Sequence, residues 1–168
     1  INRASPKKKL KKNFFTDQSF IDELLKLLIK YIKIHILNQI KSGVTIIQVF
    51  DSWAGLLEEE DLEKYIYAPT KEIIDFIRTL NVPSICFPRN IKNYKKFVTI
   101  VNPDVISIDY NVNPKKILDE IDIPVQGGLN PQKLLEDKAT LKQEVKKYLK
   151  VFKNHPYIFN LGHGVLPE

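Results

Sequence analysis

The sequence VTIIQVFDSWAG, residues 44–55, joins a short apolar segment to a polar turn that contains glycine. Five of its first seven residues are β-branched and most are apolar, which is typical of a strand buried on both faces of a parallel sheet. Asp51 and Ser52 follow directly where this strand should end. We therefore predict a buried strand over 44–50 and a loop after it that is placed to carry polar side chains.

Similar segments recur along the chain and alternate with helical patterns. Four more strands are predicted at SICF (84–87), VISID (105–109), IPVQ (123–126) and YIFNL (157–161). Helices are predicted at 17–42, at 58–80 with a bend at Pro69, at 91–101, just after Pro114, and from 131 to 153. In the first of them the residues sharing one apolar face are Ile21, Leu24, Leu25, Leu28 and Ile32.

This alternation predicts an α/β fold with about five parallel strands joined by right-handed crossovers. Periodicity leaves two architectures open, because an open doubly wound sheet and an arc of a (β/α)8 barrel share the same pattern. Composition fits either. The chain has 168 residues, of which 43% are hydrophobic and 27% charged, as expected for a single globular domain over 1–168.

Polar or glycine residues follow every predicted strand: DSWAG (51–55), PRN (88–90), DYN (109–111), QGGLNP (126–131) and NLGHG (160–164). The carboxyl ends of parallel strands form the face where α/β proteins bind ligands. We predict that His163 shares this rim with Asp51, Ser52, Arg89, Asp109 and Gln126. Simpler explanations stay open: Asp51 and Ser52 can cap a turn, Asp109 can form an ion pair with Arg89, and His163 can lie in an ordinary turn.

Several classes of protein are disfavoured by the sequence. One cysteine, Cys86, allows no intrachain disulfide, and no apolar stretch reaches the roughly 18 residues of a membrane span. With no signal-type segment visible, the cytoplasm is the expected compartment. The phosphate-loop, dinucleotide and nucleophile-elbow motifs are missing, and one cysteine with three scattered histidines does not make a zinc site. We expect no bound metal.

The net charge of +6 comes mostly from lysine, since the 168 residues contain arginine only at Arg3, Arg78 and Arg89. Arginine is the side chain that pairs with phosphates and reads bases, so its scarcity argues against a nucleic-acid partner. The lysine cluster within residues 7–12 is expected to be a solvated entry to the first helix. A non-catalytic basic binding protein that uses this cluster remains an alternative.

Five segments, taken together in order and spacing, resemble the uroporphyrinogen decarboxylase family. They are IQVFDSWAG (47–55), VPSICFPRN (82–90), DVISIDY (104–110), PVQGGLNP (124–131) and IFNLGHGVLPE (158–168). The resemblance spans essentially all 168 residues and corresponds to the C-terminal half of the family, without its final helix. The chain begins at Ile1 without any methionine, and it stops at Glu168 directly after a strand and turn, so we expect a sequence truncated at both ends.

The resemblance implies a partial (β/α)8 TIM-type barrel, homodimeric in its full-length form, that uses neither metal nor organic cofactor. Its implied reaction removes carbon dioxide from the four acetate side chains of uroporphyrinogen III, giving coproporphyrinogen III in haem biosynthesis. The family's central aspartate and paired arginines belong to the half that this chain does not match, so the chain alone is expected to be inactive. A related corrinoid or thiol methyltransferase is the alternative enzyme, and it would need zinc ligands.

The same resemblance implies roles for three residues of this chain. Ser52 and His163 would contact the porphyrinogen substrate, His163 is the candidate catalytic residue, and Phe50 would form an apolar wall of the cleft. The pattern departs from the family at three positions: Asn90 and Gly128 stand where the family usually has glycine and asparagine, and Asn130 stands where it usually has aspartate. We expect these changes to affect loop geometry.

Overall fold

The computed structural model describes residues 17–165, and within them five strands form one parallel sheet. The strands are β1 (Ile47–Asp51), β2 (Ser84–Pro88), β3 (Val105–Ile108), β4 (Val125–Gly127) and β5 (Tyr157–Ile158). They lie in the order β1-β2-β3-β4-β5, and every neighbouring pair is parallel. The predicted α/β class with five alternating units is confirmed.

The strand order decides between the two architectures that the sequence left open. A doubly wound sheet reverses its winding direction at a switch point, whereas each strand here pairs with the next one along the chain. Right-handed crossovers that always advance in one direction place all the helices on the same face of the sheet. The sheet is therefore an arc of a (β/α)8 barrel, as predicted from the resemblance.

Between residues 17 and 165, six α-helices form the layer on that face. They are α1 (Gln18–Lys41), α2 (Glu59–Leu62), α3 (Ala68–Thr79), α4 (Tyr94–Val101), α5 (Pro114–Glu120) and α6 (Lys138–Val151). Short 3-10 turns at Ala54–Leu56 and Pro131–Leu135 follow β1 and β4. The helices pack side by side, with α1 on α3, α3 on α4, α4 on α5 and α5 on α6.

Local sequence explains where α1 begins and ends. The Asp17 carboxylate accepts a hydrogen bond from the Phe20 N–H at 3.0 Å, which caps the first turn as predicted. At the other end Gly43 has a φ of +98°, a left-handed conformation that glycine adopts without strain. Val44 still donates its N–H to the Gln39 carbonyl at 3.2 Å. Residues 44–46 therefore form the connection that leaves α1, and they are not part of the strand.

Pro69 lies just beyond a π-helical segment, Glu63–Tyr67, that joins α2 to α3. The Ala68 N–H donates to the Glu63 carbonyl five residues earlier, so this turn of the helix contains one extra residue just before the proline. The region predicted to be one bent helix is thus α2, the π segment and α3 in succession. A proline without an N–H is accommodated in the first turn of α3.

The core lies between the sheet and the helix layer. Side chains that are 0–1% exposed come from both layers, namely Ile74, Ile77, Phe97, Ile106, Ile108 and Val125. Cys86 is buried among them, and burial raises the pKa of its thiol far above the ordinary value. This cysteine is therefore an inert core residue at neutral pH, as its position in an apolar strand predicts.

Two predictions about the early part of the chain are wrong in detail. The strand begins at Ile47 rather than Val44, because pairing starts where the Ile47 N–H bonds the Pro83 carbonyl. On α1 the residues that face the core are Ile21, Ile29 and Ile36, whereas Leu24 and Leu28 of the predicted face are exposed. The lysine cluster at 7–12 lies outside the described residues.

Candidate functional site

A cleft of about 450 Å³ opens at the carboxyl ends of the strands, on the side of the sheet that faces away from the helices. Every strand, or the loop directly after it, contributes to the wall. The lining residues are Gln48, Phe50, Ser52, Phe87, Arg89, Ser107, Gln126, Asn160, Leu161, Gly162, His163, Gly164 and Val165. Four residues of the predicted rim, Ser52, Arg89, Gln126 and His163, lie on this one concave surface, whereas Asp51 and Asp109 do not line it.

Phe50 and Ser52 enter the cleft from the end of β1. Phe50 is 64% exposed although it is a large apolar side chain, and its ring meets Phe87 edge to face with centroids 6.0 Å apart. Two aromatic rings at the mouth of a polar cleft provide an apolar surface against which a planar or cyclic ligand can pack. Ser52 follows one residue after the strand and is exposed.

Asp51 turns away from the cleft and shapes the loop instead. Its carboxylate accepts a hydrogen bond from the Trp53 N–H at 3.3 Å, and its carbonyl accepts one from the Arg89 N–H at 3.0 Å. Burial raises the pKa of this carboxyl, and hydrogen bonds from the Trp53 and Ala54 backbones lower it by less. Asp51 therefore caps the turn, which is the simpler of the two roles that the sequence allowed.

His163 is placed by the glycine before it. A side chain at Gly162 would collide with the Tyr110 backbone nitrogen and come within 2.9 Å of the Asp109 carbonyl carbon, so this segment crosses the end of β3 without a gap. The Gly162 N–H donates to the Leu129 carbonyl at 2.7 Å, which also ties the segment to the loop after β4. At Gly164, by contrast, a Cβ would meet no atom within 4 Å, so only the first of the two glycines is required by packing.

The His163 ring is held from behind by Asp109. Its Nδ1 lies 3.3 Å from the Asp109 Oδ1, and the Tyr110 ring packs at a centroid distance of 5.1 Å. A carboxylate only accepts hydrogen bonds, so the imidazole nitrogen must be the donor. The Nε2 atom makes no hydrogen bond within residues 17–165, and the half-buried ring faces the cleft with that nitrogen free.

Asp109 itself is completely buried and pairs with Arg89, whose Nε lies 2.9 Å from the Asp109 Oδ2. The remaining oxygen also accepts the Tyr110 N–H at 2.7 Å. The ion pair that the sequence left open is therefore present. It connects two residues of the cleft wall, Arg89 and His163, through one carboxylate that does not line the cleft.

The floor of the cleft is a small polar network on the inner face of the strands. The Gln126 amide donates to the Gln48 Oε1 at 3.3 Å and to the Ser107 Oγ at 3.4 Å. Gln126 was predicted on the rim, whereas Gln48 and Ser107 were not. Their position within apolar strands could have identified them. Gln48 lies two residues before Phe50, and residues two apart in a strand share one face, so Gln48 lies on the same face of β1 as Phe50.

The loop after β4 explains one departure from the family pattern. Gly127 and Gly128 both have positive φ, +87° and +95°, and two tyrosine hydroxyls bond their carbonyls: Tyr157 to Gly127 at 2.6 Å and Tyr148 to Gly128 at 2.5 Å. Asparagine and glycine are the residues that adopt this left-handed conformation. Glycine at 128 therefore preserves the geometry of the loop.

The other two departures have equally simple explanations. Asn90 has a φ of +63°, the same left-handed region, so an asparagine can replace glycine there. Asn130 caps the 3-10 turn after β4, and its Oδ1 accepts the Gln132 N–H at 3.0 Å. An aspartate oxygen would make the same bond, so the change removes a charge without removing the cap.

Within residues 17–165, no group of three or more His, Cys, Asp or Glu side chains is arranged to hold a metal ion. His35 is exposed on α1, and the His155 Nε2 lies 2.9 Å from the Ile123 carbonyl, away from the cleft. None of the helices in this part of the chain is long and apolar enough to cross a bilayer.

A parallel sheet wound in one direction, with a polar cleft at its carboxyl ends, defines the class: part of a (β/α)8 barrel, with its cleft on the face where such barrels bind their ligands. A solved structure of an uncharacterised protein has the same fold, with a TM-score of 0.52 and 13% identity over 83% of this chain and 39% of that one. Residues 4–168 match the family model described as uroporphyrinogen decarboxylase, and the chain belongs to that family.

Relatives named uroporphyrinogen decarboxylase agree with this assignment. The protein from Rickettsia bellii is 41% identical over 162 residues, covering 94% of this chain and 48% of that protein. The one from Rickettsia africae is 39% identical over 169 residues, covering 94% and 49%. The chain therefore spans about half the length of the curated relatives that it matches.

Proposed function

We propose that this chain is the C-terminal part of a uroporphyrinogen decarboxylase barrel and that residues 1–168 form one unit of it. The family match over 4–168 and the names of the relatives support the reaction. The observation that carries the proposal is the cleft, which combines an aromatic wall at Phe50 with two polar groups, Ser52 and His163, at the carboxyl face of the sheet.

The reaction converts each acetate side chain of uroporphyrinogen III into a methyl group. Protonation of a pyrrole makes the ring an electron sink, the carbon–carbon bond breaks with its electron pair moving into the ring, and carbon dioxide leaves. A proton then adds to the resulting methylene carbon, and the ring proton returns to solvent. Four such steps give coproporphyrinogen III. The pyrrole is its own electron sink, so the proposed reaction uses no metal or organic cofactor.

The residues of this chain bind and orient the substrate. Phe50, with its face open to the cleft, packs against the apolar rim of the macrocycle. Ser52 donates a hydrogen bond to a side-chain carboxylate. The His163 Nδ1 is bound to Asp109, so its Nε2 is the atom that faces the substrate. When the ring is protonated, Nε2 donates a hydrogen bond to a carboxylate, and when the ring is neutral, Nε2 can accept a proton during transfer. His163 is the proposed catalytic residue within this chain.

The catalytic carboxylate and the arginine pair that stabilise the charged pyrrole would come from the other half of the barrel. We therefore propose that residues 1–168 alone are inactive and that the complete enzyme is a cytoplasmic homodimer. Exposed apolar side chains on α1, among them Phe20, Leu27 and Tyr31, support a covering partner on that side of the helix layer. Gel filtration of the complete gene product tests the dimer.

The deciding experiment is an anaerobic assay of the complete gene product that carries this chain, with uroporphyrinogen III as substrate. We expect coproporphyrinogen III and four equivalents of carbon dioxide, strongly reduced activity in His163→Ala, and none from residues 1–168 alone. Absence of carbon dioxide release from the complete product contradicts the proposal. About one equivalent of bound zinc would instead support the related methyltransferase. Sequencing the DNA upstream of Ile1 tests whether a further half precedes the chain.

A further inference from the structure

Arg89 is held at three points although it lies in a loop. Its N–H donates to the Asp51 carbonyl and its own carbonyl accepts the Gly55 N–H, both at 3.0 Å. Its side-chain Nε donates to Asp109 at 2.9 Å. The close approach of Gly55 to Asn90 leaves no room for a side chain there, which packs the two loops together. The guanidinium is therefore fixed in place before any ligand arrives.

Most of the hydrogen-bonding capacity of this guanidinium is unused. Arginine has five N–H donors, and Asp109 takes one of them. The other four have no acceptor within residues 17–165, while the side chain is 32% exposed and lines the cleft. A fixed, planar cation with free paired donors matches the geometry of a carboxylate. Because it is already ordered, binding loses little side-chain entropy.

Asp109 orients two side chains of this wall, the cation of Arg89 and the imidazole of His163. It is 0% exposed, so it reaches the ligand only through its partners. One oxygen fixes Arg89, and the other fixes His163 in the tautomer that carries its proton on Nδ1. A single buried carboxylate thus sets the angle between a carboxylate-binding cation and the candidate catalytic histidine.

Resting on the proposed function, we propose that Arg89 binds a substrate carboxylate that persists through the reaction, and that Asp109 is the positioning residue for Arg89 and His163. The carboxylate is not the one being lost. A cation paired with the departing carboxylate would stabilise the starting state, because that negative charge moves into the ring as carbon dioxide leaves. A propionate or a waiting acetate keeps its charge throughout, so Arg89 contributes uniform binding.

Binding is measured first with uroporphyrin III, the oxidised octacarboxylate, which is not decarboxylated. Fluorescence titration of the complete gene product should show Kd about tenfold higher or more in Arg89→Gln, as expected for loss of a charge-assisted hydrogen bond. The matched control is Arg78→Gln, which breaks bonds to Asp75 and the Asn102 carbonyl on the helix layer, outside the cleft. Its Kd should be unchanged.

Arg89→Gln alone removes the arginine that is paired with the buried Asp109 carboxylate, so a second variant is needed to control for misfolding. Arg89→Gln with Asp109→Asn removes both charges and should fold, yet still bind uroporphyrin about tenfold or more weakly. Wild-type affinity in this double variant overturns the proposal. So does a wild-type protein that fails to bind uroporphyrin at all.

Kinetics separate binding from catalysis. With uroporphyrinogen as substrate, Arg89→Gln should raise KM about tenfold with kcat within about threefold, the pattern of lost uniform binding. A fall in kcat at constant KM contradicts the assignment. If the wild type binds uroporphyrin through Arg89 but releases no carbon dioxide, the carboxylate site stands and the decarboxylase proposal fails.

The positioning role of Asp109 has its own signature. Nitrogen-15 shifts of the His163 imidazole, assigned by difference with His163→Gln, should show the Nδ1–H tautomer in the wild type and a shift towards Nε2–H in Asp109→Asn. An unchanged tautomer in a folded Asp109→Asn variant overturns that role.

Discussion

The close approach of Gly162 to the end of β3 gives the sharpest structural prediction. In Gly162→Ala the new methyl group would lie 2.9 Å from the Asp109 carbonyl carbon and from the Tyr110 Cα, inside the 3.4 Å at which ordinary contact begins. Backbone atoms cannot move aside as a flexible side chain can. Overpacking of this kind costs about 1–3 kcal/mol. Partial loss of the Gly162 bond to Leu129 adds about 1 kcal/mol.

We therefore expect Gly162→Ala to lower the free energy of unfolding by about 2–4 kcal/mol, measured by urea unfolding of the complete gene product with circular dichroism. The same variant should bind uroporphyrin more weakly, because His163 moves with the segment. Gly164→Ala is the matched control: it is the same change two residues on, it meets no atom within 4 Å, and it should stay within about 0.5 kcal/mol of the wild type. Equal stability of the two variants would falsify the close-packing argument.

Three further predictions concern stability. Tyr157→Phe removes the hydroxyl that bonds the Gly127 carbonyl at 2.6 Å and should cost about 1–2 kcal/mol in urea unfolding. Burial raises the pKa of Asp51 above 3.8, so the folded state favours the neutral form of this carboxyl. Asp51→Asn should therefore be more stable than the wild type at pH 7, where the wild-type carboxyl is charged. This gain in stability should vanish as the pH falls below 3.8, because the carboxyl is then neutral in both the folded and the unfolded state. Arg89→Gln should cost about 2–4 kcal/mol, somewhat less than for a fully buried pair because Arg89 is one-third exposed, and adding Asp109→Asn should restore most of it.

Element type and order could be predicted from the sequence because the apolar strands are short, β-branched and separated by long helical patterns. The orientation of α1 could not. Apolar residues occur nearly all round this helix, including Phe20, Leu27 and Ile34, so several stripes fit the helical period. Only contact with α3 decides that the stripe through Ile29 and Ile36 faces inward.

Strand ends were harder to predict than strands. The last predicted strand ran over 157–161, but pairing stops after Ile158 and resumes only as a single bridge between Leu129 and Leu161. The cause lies in the neighbouring strand, where the positive φ values at Gly127 and Gly128 turn the backbone away. Nothing in the YIFNL segment itself signals an interruption that its neighbour imposes.

For the candidate site, the rule that polar residues gather at the carboxyl ends of parallel strands was sufficient to collect Ser52, Arg89, Gln126 and His163 into one cleft. Phe50 was expected there only from the family resemblance. The rule could not show that neither Asp51 nor Asp109 lines the cleft. Both lie at the carboxyl end of a strand, yet Asp51 caps a turn and Asp109 lies buried behind the wall. That distinction depends on packing and hydrogen-bond partners.

The sequential order of the strands also has a consequence for synthesis. Every strand from β2 onward pairs with the one translated just before it, so each new β–α unit meets its partner as soon as it leaves the ribosome. Assembly can proceed by adding units one at a time, and the loop that must close for each addition stays short. In a complete barrel, only the pairing that seals the ring must wait for the last strand to emerge.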